Sequence, residues 1–335
     1  MSISRYANFV ALAAALSMLN ACAGLTGTPP NTTSRLAPSA GGERLSRCPC
    51  LYVANSGSNA VSEYPTSAVG NTKPYRSITG PSTGLSVPSD VALDASGDVY
   101  VANAGSNAIT VYAAAANGDT APLQTIVGSN TGLTTPNGVA IDPVNGDIYV
   151  ANTGSNSVTV YAPGATGNVS PIAALQGTAT LLAGPTGLIL DGSGNIYVPN
   201  IAGSLITIFA AGSTGNVAPV RTIEGGATGL YGPLQVAVDA ASNLYVANYN
   251  GNTVTVYGPG ANGNAAPIAT LSGAVTKLNG PDGLGLDPSG NLQVASYHKN
   301  WVTVYPQTAN GRVAPTSILK GRRTLLNKPG GVAIR

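Results

Sequence analysis

Charge is scarce in this chain. Asp, Glu, Lys and Arg together supply 8% of its 335 residues, against roughly 25% in an average soluble protein. The formal net charge of +2 leaves no electrostatic footprint for nucleic acid. One His, one Trp, two Phe and three Cys are present. The three Glu, at Glu43, Glu63 and Glu224, give little material for acid–base chemistry. Past the N-terminus no apolar run approaches the ~20 residues of a membrane-spanning helix. What abounds instead is Gly, at 43 residues, and Tyr, at 15. Val, Ile, Leu and Tyr recur in clusters, which argues against disorder.

The N-terminus reads as an export signal over residues 1–21. Arg5 supplies a short basic region and Phe9 to Leu19 an apolar core of suitable length. Leu19-Asn-Ala-Cys22 resembles a bacterial lipobox, with Asn20 a departure at its second position; Cys22 would carry the lipid, with plain secretion the alternative. Residues 22–47 lack periodicity and read as a flexible tether. Cys48 and Cys50 flank a single Pro. A disulfide across one residue is strained, because bridged Cα atoms prefer to lie about 5.5 Å apart, so an incidental or structural thiol pair is expected.

From residue 48 onward the chain repeats. Tyr-Val-Ala-Asn begins at Tyr52, Tyr100, Tyr149 and Tyr245, with variants at Tyr197 and Gln293, at spacings of 48, 49, 48, 48 and 48. The extra residue falls in the turn after Asp142. Each unit holds four β-branched or aromatic runs bounded by turn residues, as in Gly138–Asp142, Ile148–Asn152, Val158–Tyr161 and Pro171–Leu175. The aromatic that closes the third run precedes a Pro by ten residues in all six units, from Tyr64/Pro74 to Tyr305/Pro315. Such constancy implies equivalent places around a ring, and four antiparallel strands per unit form a propeller blade. The first run is seen five times, ending at Asp94, Asp142, Asp191, Asp239 and Asp287; its sixth copy, Gly331–Ile334, ends the chain, while the body begins with a second run. The expectation is an all-β, six-bladed β-propeller over residues 48–335. The C-terminal strand would complete the N-terminal blade and remove the open edges. A parallel β-helix is the runner-up, and it leaves the terminal half-units unexplained.

The pattern Pro-x-Gly-Val-Ala-x-Asp, Gly-Asn-x-Tyr-Val-Ala-Asn, Val-x-Val-Tyr resembles the NHL repeat and the related streptogramin (virginiamycin B) lyase propellers. The resemblance covers residues 51–335 and speaks for fold more than function. A lyase-like site would imply a metal held by acidic residues with a His as base, but no acid–base pair can be set beside His298 from sequence. A Ser-His-Asp arrangement would need His298 with Asp282 or Asp287, and no nucleophile elbow is visible.

Loops after the second strand and between blades should share one face. That face would carry the ring Asn55, Asn103, Asn152, Asn200, Asn248 and Ser296, and the series Asn59, Asn107, Asn156, Asn252 and Asn300. Repeated in nearly every blade, these suit turns more than ligands. The Asp series on the opposite face suits turn capping; the full calcium-loop spacing is absent. Departures from the repeat carry more. Blade 5 has Tyr249 in this turn, and blade 6 has Tyr297, His298, Lys299 and Trp301, with the chain's one His and one Trp. The last connecting loop adds Lys320, Arg322, Arg323 and Lys328, and the preceding one Lys277. Tyr249, Tyr297, His298, Lys299, Trp301, Arg322 and Arg323 form the candidate ligand site, for a polar or anionic ligand or a protein partner.

The expectation is therefore a non-catalytic, exported binding propeller: monomeric, without cofactor or nucleic acid, touching membrane only through a lipid anchor. A metal-dependent lyase- or lactonase-like enzyme and a structural envelope scaffold are the alternatives.

Overall fold

The computed structural model describes residues 49–335; the signal, Cys22, the tether and Cys48 lie outside the described residues. Six four-stranded antiparallel sheets stand in a ring. Blade 2 is representative: Pro88–Leu93 innermost, then Val99–Asn103, Ala108–Tyr112 and, at the rim, Gln124–Ile126. The two middle strands of each blade are almost wholly buried on both faces, which is why they lack polar alternation. The core lies between blades: Tyr100, Ile109 and Ile126 of blade 2 pack on Val139, Ile148 and Tyr161 of blade 3.

Closure is as expected. Pro329–Ile334 pairs antiparallel with Cys50–Asn55, with Leu51 opposite Ile334 and Val53 opposite Val332. A phenol completes the latch: the Tyr64 hydroxyl donates to the Thr324 carbonyl. The same bond recurs at Tyr112, Tyr161, Tyr257 and Tyr305, each to a Thr carbonyl in the loop that precedes the blade's inner strand. Blade 4 departs from the pattern. Its inner strand is reduced to Ile189–Leu190, because Pro199 replaces the usual Ala in the neighbouring strand and offers no N–H to the ladder.

The Asn series are structural. Each ring Asn is buried; Asn103, for example, donates to the Val101 carbonyl and Thr110 Oγ1 and accepts from the Ser86 N–H. Asn59, Asn107, Asn156, Asn252 and Asn300 adopt positive φ and accept an N–H from the next blade's entry loop. The Asp series caps turns, as when Asp191 Oδ1 accepts from Ser193 and Asn195. Glu63 sits buried in the third strand of blade 1, paired with Arg76 at 2.9 Å. Cys50 is buried at the start of its strand.

Candidate functional site

Strand direction alternates through each blade, so the second-to-third-strand turns and the interblade loops share an upper face. Six inner strands converge there on the central channel. Most enter with a register shift just after their opening Pro, as between Pro88 and Asp90 or Pro281 and Leu284. Such a bulge re-aims the side chains beside it. Two layers result. The upper, at the mouth, is Ser89, Asn137, Thr186, Leu234, Asp282 and Gly330. The lower is four glycines with Asp90 and Gln235.

Asp90 and Gln235 belong to blades three steps apart, and they meet across the channel: Gln235 Nε2 donates to Asp90 Oδ1 at 2.9 Å. Asp90 also accepts from the Val91 and Val139 N–H groups at 2.9 and 3.0 Å. Gln235 Oε1 accepts from Leu284 at 3.1 Å and Val332 at 3.4 Å. One buried bond thus bolts the inner strands of blades 2, 3, 5, 6 and 1 together. Glycine is required here by space: a Cβ on Gly331 would stand 1.8 Å from Asp90 Oδ1.

Above this bolt lies Asp282, half-buried, its carboxylate leaning toward Gly330. Burial and the nearby charge of Asp90 push Asp282 up to about 8. Burial pushes Asp90 up to about 7, opposed by its three hydrogen bonds. Those three bonds all come from donors and favour the carboxylate form of Asp90, which is why burial lifts it less far than Asp282.

Beside Asp282 three rings cluster. Tyr249 and Tyr297 meet edge to face at 5.9 Å, and His298 lies 5.2 Å from Tyr249 and 5.4 Å from Tyr297. Burial, then Asp282, then Tyr297 raise the Tyr249 phenol above its ordinary value. Lys328 Nζ stands 5.9 Å from the Tyr297 ring centre. Of the seven sequence-expected residues, the structure brings these three aromatic ones together. Trp301 lies farther out along the same blade, opposite Ser296, under Lys320 Nζ at 5.1 Å. Lys299 is exposed in the turn, and Arg322 and Arg323 are exposed on a short 3-10 turn of the outer loop. Asp282 acts on Tyr249, the ring next to His298, but among the described residues no hydrogen bond or ion pair joins it to His298 itself.

The cluster exists because glycine changes sides. The second turn residue is Gly57, Gly105 and Gly154 in blades 1 to 3, but Ala202, Asn250 and His298 in blades 4 to 6. The loop residue just before the inner-strand Pro is Lys328, Val87 and Thr135 in the first three, but Gly184, Gly232 and Gly280 in the rest. All six loop residues have positive φ. A Cβ on Gly280 would meet His298 Cδ2 at 2.6 Å and Tyr249 Cε2 at 3.1 Å. At this contact the side chain is therefore on the loop in blades 1 to 3 and on the turn in blades 4 to 6.

Blade 6 carries one more departure. Ser296 replaces the bracing Asn, and its buried Oγ has no hydrogen-bond partner among the described residues. Thr303 donates to the Val294 carbonyl at 3.3 Å, as Thr207 does to Val198 in blade 4, but receives no Asn amide. Sequence reasoning missed Asp90, Gln235 and the bolt. The signal was available: both replace the Gly of Pro-x-Gly-Val-Ala. Among the described residues no three His, Cys, Asp or Glu side chains converge to hold a metal. His298 with Asp282 alone does not fit the metal-and-base site that the lyase resemblance implies.

A family model described as lactonase, seven-bladed β-propeller, matches residues 46–184, which span most of the first three of the six blades here. No curated protein sequence matches the chain. Among solved structures, a protein of unknown function from Bacteroides caccae superposes with a TM-score of 0.63 at 13% identity, covering 86% of this chain and 99% of that one. A chain of the nidogen/laminin complex gives 0.58 at 17%, covering 85% and 98%. A catalytically inactive virginiamycin B lyase from Staphylococcus aureus, with quinupristin, gives 0.53 at 12%, covering 77% and 81%. The chain is a β-propeller with the fold of the streptogramin lyases. At these identities the likeness is one of fold, and the site must be judged on its own residues.

Proposed function

We propose that this protein is an exported, non-catalytic propeller that binds a polar ligand at the upper mouth of its channel, over blades 5 and 6. The observation that carries the reading is the ring cluster of Tyr249, Tyr297 and His298 beside Asp282, built where the repeat breaks and made room for by Gly280. Amphipathic rings next to one cation and one carboxyl are groups that orient a ligand. The bolted channel beneath closes the site from below. Export and a lipid anchor rest on residues 1–22, and a monomer on the closed ring.

A glycan and peptide array with the purified protein tests this. Binding weakened at least tenfold by Tyr249→Ala or His298→Ala supports it; binding indifferent to both contradicts it. Lactonase or lyase turnover that needs a divalent cation and is lost in His298→Ala would replace it with the enzymatic reading, which the partial family match favours.

A further inference from the structure

The described part of the chain is electrically lopsided. On the upper face, Lys277, Lys299, Lys320, Arg322, Arg323 and Lys328 are all exposed and all belong to blade 6 or the loops on either side of it. Among the described residues the one ion pair is Arg76 with Glu63, on blade 1, so no carboxylate neutralises these six. The one acid on that side of blade 6 is Asp282, sunk in the channel mouth. The turn aspartates Asp94, Asp142, Asp191, Asp239 and Asp287 all sit on the lower face. Low overall charge thus hides a single concentrated basic sector.

Two rings lie within it at different radii. Tyr297 opens the blade 6 turn beside the mouth, and Trp301 closes it one strand farther out, paired with Ser296. Each has a lysine ammonium over one face, Lys328 at 5.9 Å and Lys320 at 5.1 Å. The loop that brings Lys320, Arg322 and Arg323 is held in place. The Arg323 N–H donates to Asn71 Oδ1 at 2.8 Å, Thr324 Oγ1 to the Gly321 carbonyl at 2.6 Å, and Tyr64 to the Thr324 carbonyl. The loop backbone is therefore a fixed frame, and the ordering left to binding is that of the long side chains.

We infer that this upper edge of blade 6, running outward from Tyr297 to Trp301, Lys320 and Arg322, binds an acidic polysaccharide of the uronate type. The flat rings take the apolar faces of the sugars, and the lysines and arginines take the carboxylates. A nucleic acid would need basic groups along a longer path than one blade offers, with five aspartates across the other face. An acidic peptide would use the charges but has no use for two rings spaced along the edge. The inference extends the mouth reading outward and rests on it for the inner end of the path.

Trp301 is the chain's one tryptophan, so its emission reports this edge directly. The test titrates the purified protein with an oligogalacturonate of about ten units, neutral dextran, polyglutamate of matched charge and oligothymidylate, following Trp301 emission and calorimetry. The expected result is saturable binding of the oligogalacturonate alone, weakened tenfold or more by Trp301→Ala and by Lys320→Ala with Arg322→Ala, and unchanged by Lys73→Ala. No binding, equal binding of polyglutamate or oligothymidylate, or indifference to Trp301→Ala overturns the inference. If Tyr249→Ala abolishes binding of a ligand that Trp301→Ala leaves untouched, the mouth reading survives and this one falls. If the outer variants matter and Tyr249→Ala does not, the mouth reading is the one that fails.

Discussion

At the level of single residues, the repeat supplies its own controls, because each position has five counterparts. Ser296 shows what a missing side chain costs. Its counterparts make two donor bonds and accept one loop N–H, whereas its own Oγ is buried with no partner. Ser296→Asn would restore bonds to the Val294 carbonyl, Thr303 Oγ1 and the Asn279 N–H. A net gain of about 1 kcal/mol in urea unfolding is expected, the usual worth of buried hydrogen bonds. An unchanged or lowered midpoint would show that blade 6 has relaxed around the serine. The channel acids make a second prediction. Asp282 and Asp90 hold protons more tightly folded than unfolded, up to about 8 and about 7 against an ordinary 3.8. Between about pH 4 and pH 8 the unfolded chain has released protons that the folded chain retains, so stability must fall as pH rises through that window. Urea midpoints measured across it should decline in the wild type and decline less in Asp282→Asn. An equal slope in both would place the proton elsewhere.

Among the elements, the turn and the loop packed on it behave as one unit, because only one of the two can carry a side chain at their contact. Gly280→Ala alone drives a Cβ into His298 at a backbone angle of +60°. It should destabilise by about 1–3 kcal/mol, as backbone strain and overpacking do. Combined with His298→Gly, which recreates the arrangement of blades 1 to 3, most of that loss should return. A strongly non-additive double-mutant cycle is the expected signature, and additive effects would contradict the coupling. These contacts also mark the limit of what sequence alone can tell. Blade number, strand order and the shared blade were legible because Tyr-Val-Ala-Asn recurs at fixed spacing and the last copy stops after its first strand. The turn roles of Asn and Asp were legible because they recur too. Tyr249, Tyr297 and His298 were legible as departures from the repeat. That they gather while Trp301 stands apart was not, since it depends on which radius each position occupies. Asp90 and Gln235 stayed hidden because they lie 145 residues apart and meet only across a closed ring.

For the whole molecule, closure is what turns a row of blades into a mouth. Blade 1 takes its inner strand from residues 329–334 and its other three from residues 50–79. The same C-terminal strand supplies Gly330 beside Asp282, and the Val332 N–H that Gln235 accepts. Without it the bolt loses a partner, two sheet edges open, and the Tyr297 side of the mouth loses its neighbour. The most direct measurement is thermal unfolding of the chain shortened by residues 329–335. This account predicts loss of the cooperative transition, or aggregation from the exposed edges. A shortened chain that melts cooperatively at the temperature of the full one would contradict the closed ring and every position assigned on its upper face.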